Sequence, residues 1–95
     1  MAVRQTVQLH LQAGKGPPFE ARFLRFLDEV QANDRGRVQY DLCRNVGDPE
    51  HLVILEAWES AADLAAHDSA PHTQALIAEL GEYLAAAPVI HRCES

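Results

Sequence analysis

The segment LVILEAW, residues 52–58, restricts the possible folds more than any other part of the chain. In an extended strand Leu52, Ile54 and Trp58 point one way, and Val53, Leu55 and Ala57 point the other. A sheet with one wet face would carry polar residues on one of those sides, yet only Glu56 interrupts the run. Both faces of this strand need cover. With 95 residues the chain hides roughly two thirds of its unfolded surface, enough for one thin core. A second copy of the chain is the simplest supplier of the missing layer, which predicts a homodimer.

The flanking segments complete one small domain spanning residues 1–95. Val3, Val7, Leu9 and Leu11 alternate with Arg4, Thr6, Gln8 and His10, the period of a half-buried strand, and Gln5 is the exception on the apolar side. Gly14, Gly16, Pro17 and Pro18 end that strand and open a helix. Phe19, Phe23, Phe26, Leu27 and Val30 then form a helical apolar stripe, which stops near Asn33-Asp34-Arg35-Gly36. A second strand is predicted over Arg37–Asn45, a hairpin loop over Val46–Glu50 and a third strand over His51–Glu59. Ser60 followed by Asp63 marks a helix start. Asp68-Ser69-Ala70-Pro71 interrupts that helix, Ser69 is expected to cap the next one, and Leu76, Ile77, Leu80, Tyr83 and Leu84 supply its stripe. Pro88 ends it, and Val89–Cys93 makes a last strand. The order β-α-β-β-α-β predicts an α+β, ferredoxin-like fold with both helical segments on one face of a four-stranded antiparallel sheet.

Composition removes several function classes. The net charge is −6, and the seven arginines and single lysine are scattered, so the chain lacks the basic face that nucleic acid requires. No apolar run approaches the ~20 residues that span a bilayer. Met1–Leu11 alternates with polar residues and lacks the solid apolar block of a secretory signal, which points to a cytoplasmic protein. Cys43 and Cys93 are too few and too far apart for a disulfide framework or a zinc site, and they are expected on the two edge strands.

Candidate chemistry lies around the third strand. A symmetric hairpin sets Tyr40 opposite Glu56 and Val38 opposite Trp58. A carboxylate on a buried strand face needs a partner, and the Tyr40 phenol is within reach. His67 and His72 flank the break between the C-terminal helices. Their spacing of five differs from the i, i+4 pair of a zinc-binding helix, and the sequence shows no carboxylate at a complementary distance, so no metal site is expected. As neutral imidazoles either could serve as a general base. No phosphate-binding glycine loop or nucleophile elbow is present.

The string EAWESAADLAAHDSAPHTQAL, residues 56–76, resembles the antibiotic biosynthesis monooxygenase family, which includes quinol monooxygenases. The matching features are E-x-W-E-S ending the third strand, A-H one helix later and S-x-P-H opening the last helix, with Gly36, Tyr40 and Asp48-Pro49 fitting in order. The resemblance implies a dimeric α/β-barrel with a pocket between sheet and helices in each subunit. It also implies oxidation of a small phenol- or hydroquinone-like substrate by O2 without metal, flavin or haem. Under it Trp58 is a stacking wall and His67 or His72 the base; Glu56 joins the two histidines as a catalytic candidate, and Tyr40, Ile54 and Leu64 join Trp58 as candidates for binding the substrate. In polyketide-tailoring members the pocket uses Asn, Trp, Tyr and Arg; here only Trp58 matches, with Ile54, Leu64 and a position near Ala78 in the other places. The positions at which haem-degrading members carry Trp and an axial His hold His67 and Ile77, which disfavours haem degradation. The family also contains an isomerase, so a non-oxidative isomerase and a ligand-binding or structural dimer are the competing expectations. Within the third strand, Ile54, Glu56 and Trp58 are expected to face the pocket, and Val53, Leu55 and Ala57 the partner subunit.

Overall fold

A computed structural model describes residues 1–94. The elements are β1 (Val3–His10), α1 (Gly16–Asn33), β2 (Arg37–Asn45), β3 (Asp48–Trp58), α2 (Ala61–Ser69), α3 (Pro71–Glu79), a 3₁₀ turn (Leu80–Glu82) and β4 (Val89–Glu94). The four strands form one antiparallel sheet in the order β2-β3-β1-β4. This is the expected α+β, ferredoxin-like arrangement.

The α1 stripe packs as its spacing predicts: Phe19, Phe23, Phe26 and Val30 are buried against Leu9, Leu52, Ile54 and Trp58 of the sheet. Pro17 and Pro18 fall in the first turn of α1, where the absent amide hydrogens have no helical partner to lose. Ser60 caps α2, its hydroxyl accepting from the Asp63 amide at 3.2 Å. No helix among the described residues is long and apolar enough to cross a membrane.

Four local expectations are corrected. The hairpin turn is only Val46–Gly47, because Gly47 takes a positive φ of 83° and closes the chain in two residues. The surplus is absorbed beyond the turn: Asn45 faces Asp48 while Arg44 faces Leu52, so β3 carries an irregularity there and begins at Asp48. A second bulge at Val38 places Arg37, not Val38, opposite Trp58, although Tyr40 does face Glu56. Ser69 does not cap α3; its hydroxyl donates to the carbonyls of Ala65 and Ala66 within α2. Ala70 takes the cap position with ψ 146°, the extended geometry forced on a residue before proline.

All three helices cover one sheet face. On that side Leu52, Ile54, Glu56 and Trp58 are buried. On the other, Val53 and Leu55 remain half-buried, while Ala57 is already hidden. Every described residue of β4 is exposed. Cys43 and Cys93 are free, exposed and on the opposite edges of the sheet.

Candidate active site

Four polar residues are buried as a whole among the described residues: Gln5, Glu56, His67 and Thr73. All four line one cavity of about 290 Å³ between the sheet and the helices. Gln5, Ile54 and Glu56 form its floor, Tyr40 and His67 one side, and Thr73 and Leu76 part of its roof. Pro88, Ile90 and Arg92 close it towards β4. The lining is largely apolar with the four buried polar residues set among it, the usual make-up of a small-molecule site.

His67 projects from the last turn of α2 and is held from three directions. Its Nδ1 lies 2.6 Å from Asp34 Oδ2, its Nε2 lies 3.5 Å from the Tyr40 hydroxyl, and its ring packs against Trp58 at a tilt of 32° with centroids 4.6 Å apart. A carboxylate only accepts, so the proton belongs on Nδ1, and Nε2 is the nitrogen free to take a proton. Asp34 follows the last residue of α1 and is anchored by its amide, which donates to the Val30 carbonyl. The turn after it depends on Gly36, whose φ of 74° is left-handed and whose missing Cβ leaves room for the Asp63 side chain. His72 reaches the same carboxylate from the first turn of α3, with Nε2 2.9 Å from Oδ1.

Glu56 accepts a hydrogen bond from the Trp58 indole at 2.8 Å. Burial nonetheless raises its pKa, against the opposing pull of the hydrogen bonds from Trp58 and Gln5 and of the nearby His67. Burial also pushes the Tyr40 phenol upward, reinforced by Glu56 and Asp34, so Tyr40 stays a neutral donor. Thr73 Oγ1 is buried without a hydrogen-bond partner among the described residues. At the β4 side, Arg92 hydrogen-bonds Gln5 through Nε and pairs with Asp68 at 2.9 Å through Nη2, tying β4 to α2 across the cavity.

Of the residues singled out in the sequence, His67, Glu56, Tyr40 and Ile54 are thus brought together. Trp58 is fully buried behind His67 and does not line the cavity. Leu64 lines a separate depression with Ala61, Ala65 and Cys93, and His72 faces an outer groove. Asp34, Thr73, Asp68 and Arg92 had no individual signal in the sequence. Gln5 had one, as the polar break in the β1 alternation.

The Antibiotic biosynthesis monooxygenase family model matches residues 2–79. Among curated proteins, "Putative monooxygenase YcnE" of Bacillus subtilis is 34% identical over 70 residues, covering 67% of this chain and 73% of that protein. A crystal structure from Caulobacter crescentus, described as a "putative antibiotic biosynthesis monooxygenase", superposes with a TM-score of 0.93 at 29% identity, over 99% of this chain and 89% of that one. Rv0793 of Mycobacterium tuberculosis shares the fold at 21% identity, with a TM-score of 0.89 over 100% of this chain and 95% of its own.

Proposed function

Since the chain belongs to the antibiotic biosynthesis monooxygenase family, we propose that it is a cofactor-independent monooxygenase that oxidises a small phenol or hydroquinone with O2. The observation that supports this reading most is the convergence of all four buried polar residues on one largely apolar cavity. A hydroquinone needs no external reductant. Its four-electron oxidation to a hydroxyquinone reduces O2 fully, with one oxygen atom entering the ring and the other leaving as water. The protein must then orient the ring, exclude water and take a proton.

His67 Nε2 accepts the substrate's hydroxyl proton, and Asp34 holds the imidazole in the tautomer that allows it. The resulting phenolate is electron-rich enough to pass an electron to O2. Tyr40 and Thr73 donate to the substrate oxygens, Ile54 gives the ring an apolar floor, and Glu56 supplies a carboxyl group at that floor. Trp58 acts through others, holding Glu56 by its indole N–H and His67 by its ring.

The test is oxygen consumption with a panel of quinols, for the natural protein and for His67→Gln. The expected result is turnover well above autoxidation, lowered ~100-fold or more in the variant, the scale of a lost general base. If the natural protein never exceeds autoxidation with any quinol, the oxygenase reading fails. One arrangement favours a second reading. A base, His67, and a carboxyl group held towards its protonated form, Glu56, share the cavity, which is the equipment of a non-oxidative isomerase. That reading requires turnover under strict anaerobiosis.

A further inference from the structure

Outside the cavity, a second concavity of about 580 Å³ opens between the end of α1 and the α2–α3 junction. Asp34, His67 and His72 meet at its base. We propose that these three side chains form a binding site for a divalent transition-metal ion such as Zn2+, entered from this outer groove.

The donor atoms already converge. His67 Nδ1 is 2.6 Å from Asp34 Oδ2, His72 Nε2 is 2.9 Å from Oδ1, and the three ligand atoms lie within 4.8 Å of one another. Zinc–nitrogen and zinc–oxygen bonds of ~2.0–2.1 Å put tetrahedral ligands roughly 3.3 Å apart, so the carboxylate and imidazoles need separate only by tenths of an ångström. Two imidazoles and one carboxylate suit a borderline cation and are poor for calcium or magnesium, which favour oxygen. Three protein ligands leave a fourth position, and here it faces the groove. Glu29 and Asp63 on the groove wall favour a cation, opposed by Arg35 alone among the groove's charged residues other than the ligands.

The surroundings also suit a change of tautomer. Metal on Nδ1 requires the His67 proton to sit on Nε2, which faces the Tyr40 hydroxyl at 3.5 Å, so the metal-bound chain and the chain in which Nε2 acts as the base are alternative states. A hydroxyl both donates and accepts, so Tyr40 satisfies His67 in either state, as outer partners of metal-binding histidines commonly do. The two side chains of His67 and His72 are mostly buried, at 3% and 12% exposure, and Phe26 packs against both rings. Little side-chain freedom remains to be lost when the ion binds.

Chelator-stripped protein should take up one Zn2+ per chain in competition with a chromophoric chelator, without substrate or O2. Co2+ should give visible d–d absorption without the charge-transfer band that a thiolate from Cys43 or Cys93 would add. Asp34→Asn and His72→Gln should each weaken binding at least ~10-fold, checked on variants whose circular dichroism and thermal unfolding remain native. The double variant His10→Gln/His51→Gln removes the stacked pair on the opposite sheet face and should bind as the natural protein does. No stoichiometric uptake overturns the site, as does undiminished binding by folded His72→Gln or loss of binding in the His10/His51 variant. None of these outcomes depends on whether the chain oxidises a quinol.

Discussion

Thr73 and Glu56 are both polar and both buried, yet they make opposite demands on the fold. Thr73 Oγ1 has no partner among the described residues, so folding takes its hydroxyl out of water without a hydrogen bond in return. Thr73→Val keeps the shape and removes the desolvated group. Unfolding should show a change between about zero and 1 kcal/mol in favour of the variant. Ligand affinity should meanwhile fall about fivefold, the equivalent of one hydrogen bond. Unchanged affinity would deny Thr73 a role in binding. Glu56 instead carries a pKa raised by burial, so the folded chain holds that proton more tightly than the unfolded chain does. Its contribution to stability is therefore fully present below the unfolded value and is lost as pH rises through the folded one. Glu56→Gln can still accept from the Trp58 indole but cannot ionise. The variant should match the natural protein at acidic pH and become progressively more stable than it as pH rises through that window. Thermal melts across a pH series test this, and parallel curves would contradict it.

At the scale of the elements, the turn joining α1 to β2 sets the site. Gly36 takes a φ of 74°, and a Cβ there would overlap the Asp63 carboxyl that belongs to the α2 cap. Gly36→Ala thus combines left-handed strain with damage to that cap, and should cost about 2–4 kcal/mol in denaturant unfolding. Adding Asp63→Ala should recover part of the loss; no recovery would place the cost in backbone strain alone. The same turn explains what the sequence could not disclose. Asn33-Asp34-Arg35-Gly36 reads as a helix stop, and it is one, but Asp34 is also the carboxylate shared by two histidines 33 and 38 residues further on. That convergence depends on the angle at which α1 meets α2 and α3, which no local pattern encodes. Periodicity did carry the Phe19–Val30 stripe, and hairpin symmetry carried the facing of Tyr40 and Glu56. Symmetry failed for Val38 because a bulge adds one residue without altering the hydrophobic pattern around it. Trp58 lies behind His67 and not in the cavity lining for a related reason. At the very end of β3 the α2 helix and His67 already cover the ring, and only Ile54 and Glu56 reach the cavity.

The whole molecule leaves one sheet face without helices, and the strand that first suggested a second copy now defines what that copy must cover. Val53 and Leu55 are half-buried there, and Val89 is exposed at 43%. Leu55 sits between Thr6 of β1 and Asp41 of β2, near the centre of this face. If two chains pair through it, Leu55→Glu places a charge in a desolvated interface, a change that commonly costs several kcal/mol. Light scattering should then report a dimer for the natural protein at micromolar concentration and a monomer for Leu55→Glu. The melting temperature should depend on protein concentration only in the former. The cavity lies on the other side of the sheet, but it should not be indifferent to this change. β4 is exposed along its described length, and its Arg92 ties Gln5 to Asp68 across the cavity. β4 is held by its antiparallel ladder to β1, from Val3–Glu94 to Gln8–Val89, and the exposed Arg92–Asp68 pair adds at most about 1 kcal/mol, so a second chain packed on its exposed side chains would hold β4 and Arg92 more firmly. A monomerised chain should therefore bind its ligand more weakly while His67 and Asp34 keep their geometry. Arg92→Ala in the natural dimer should reproduce the loss of affinity without the loss of dimer. A natural protein that stays monomeric across the micromolar range would end the argument at its first step, and leave the two apolar faces of β3 to be explained by the single chain alone.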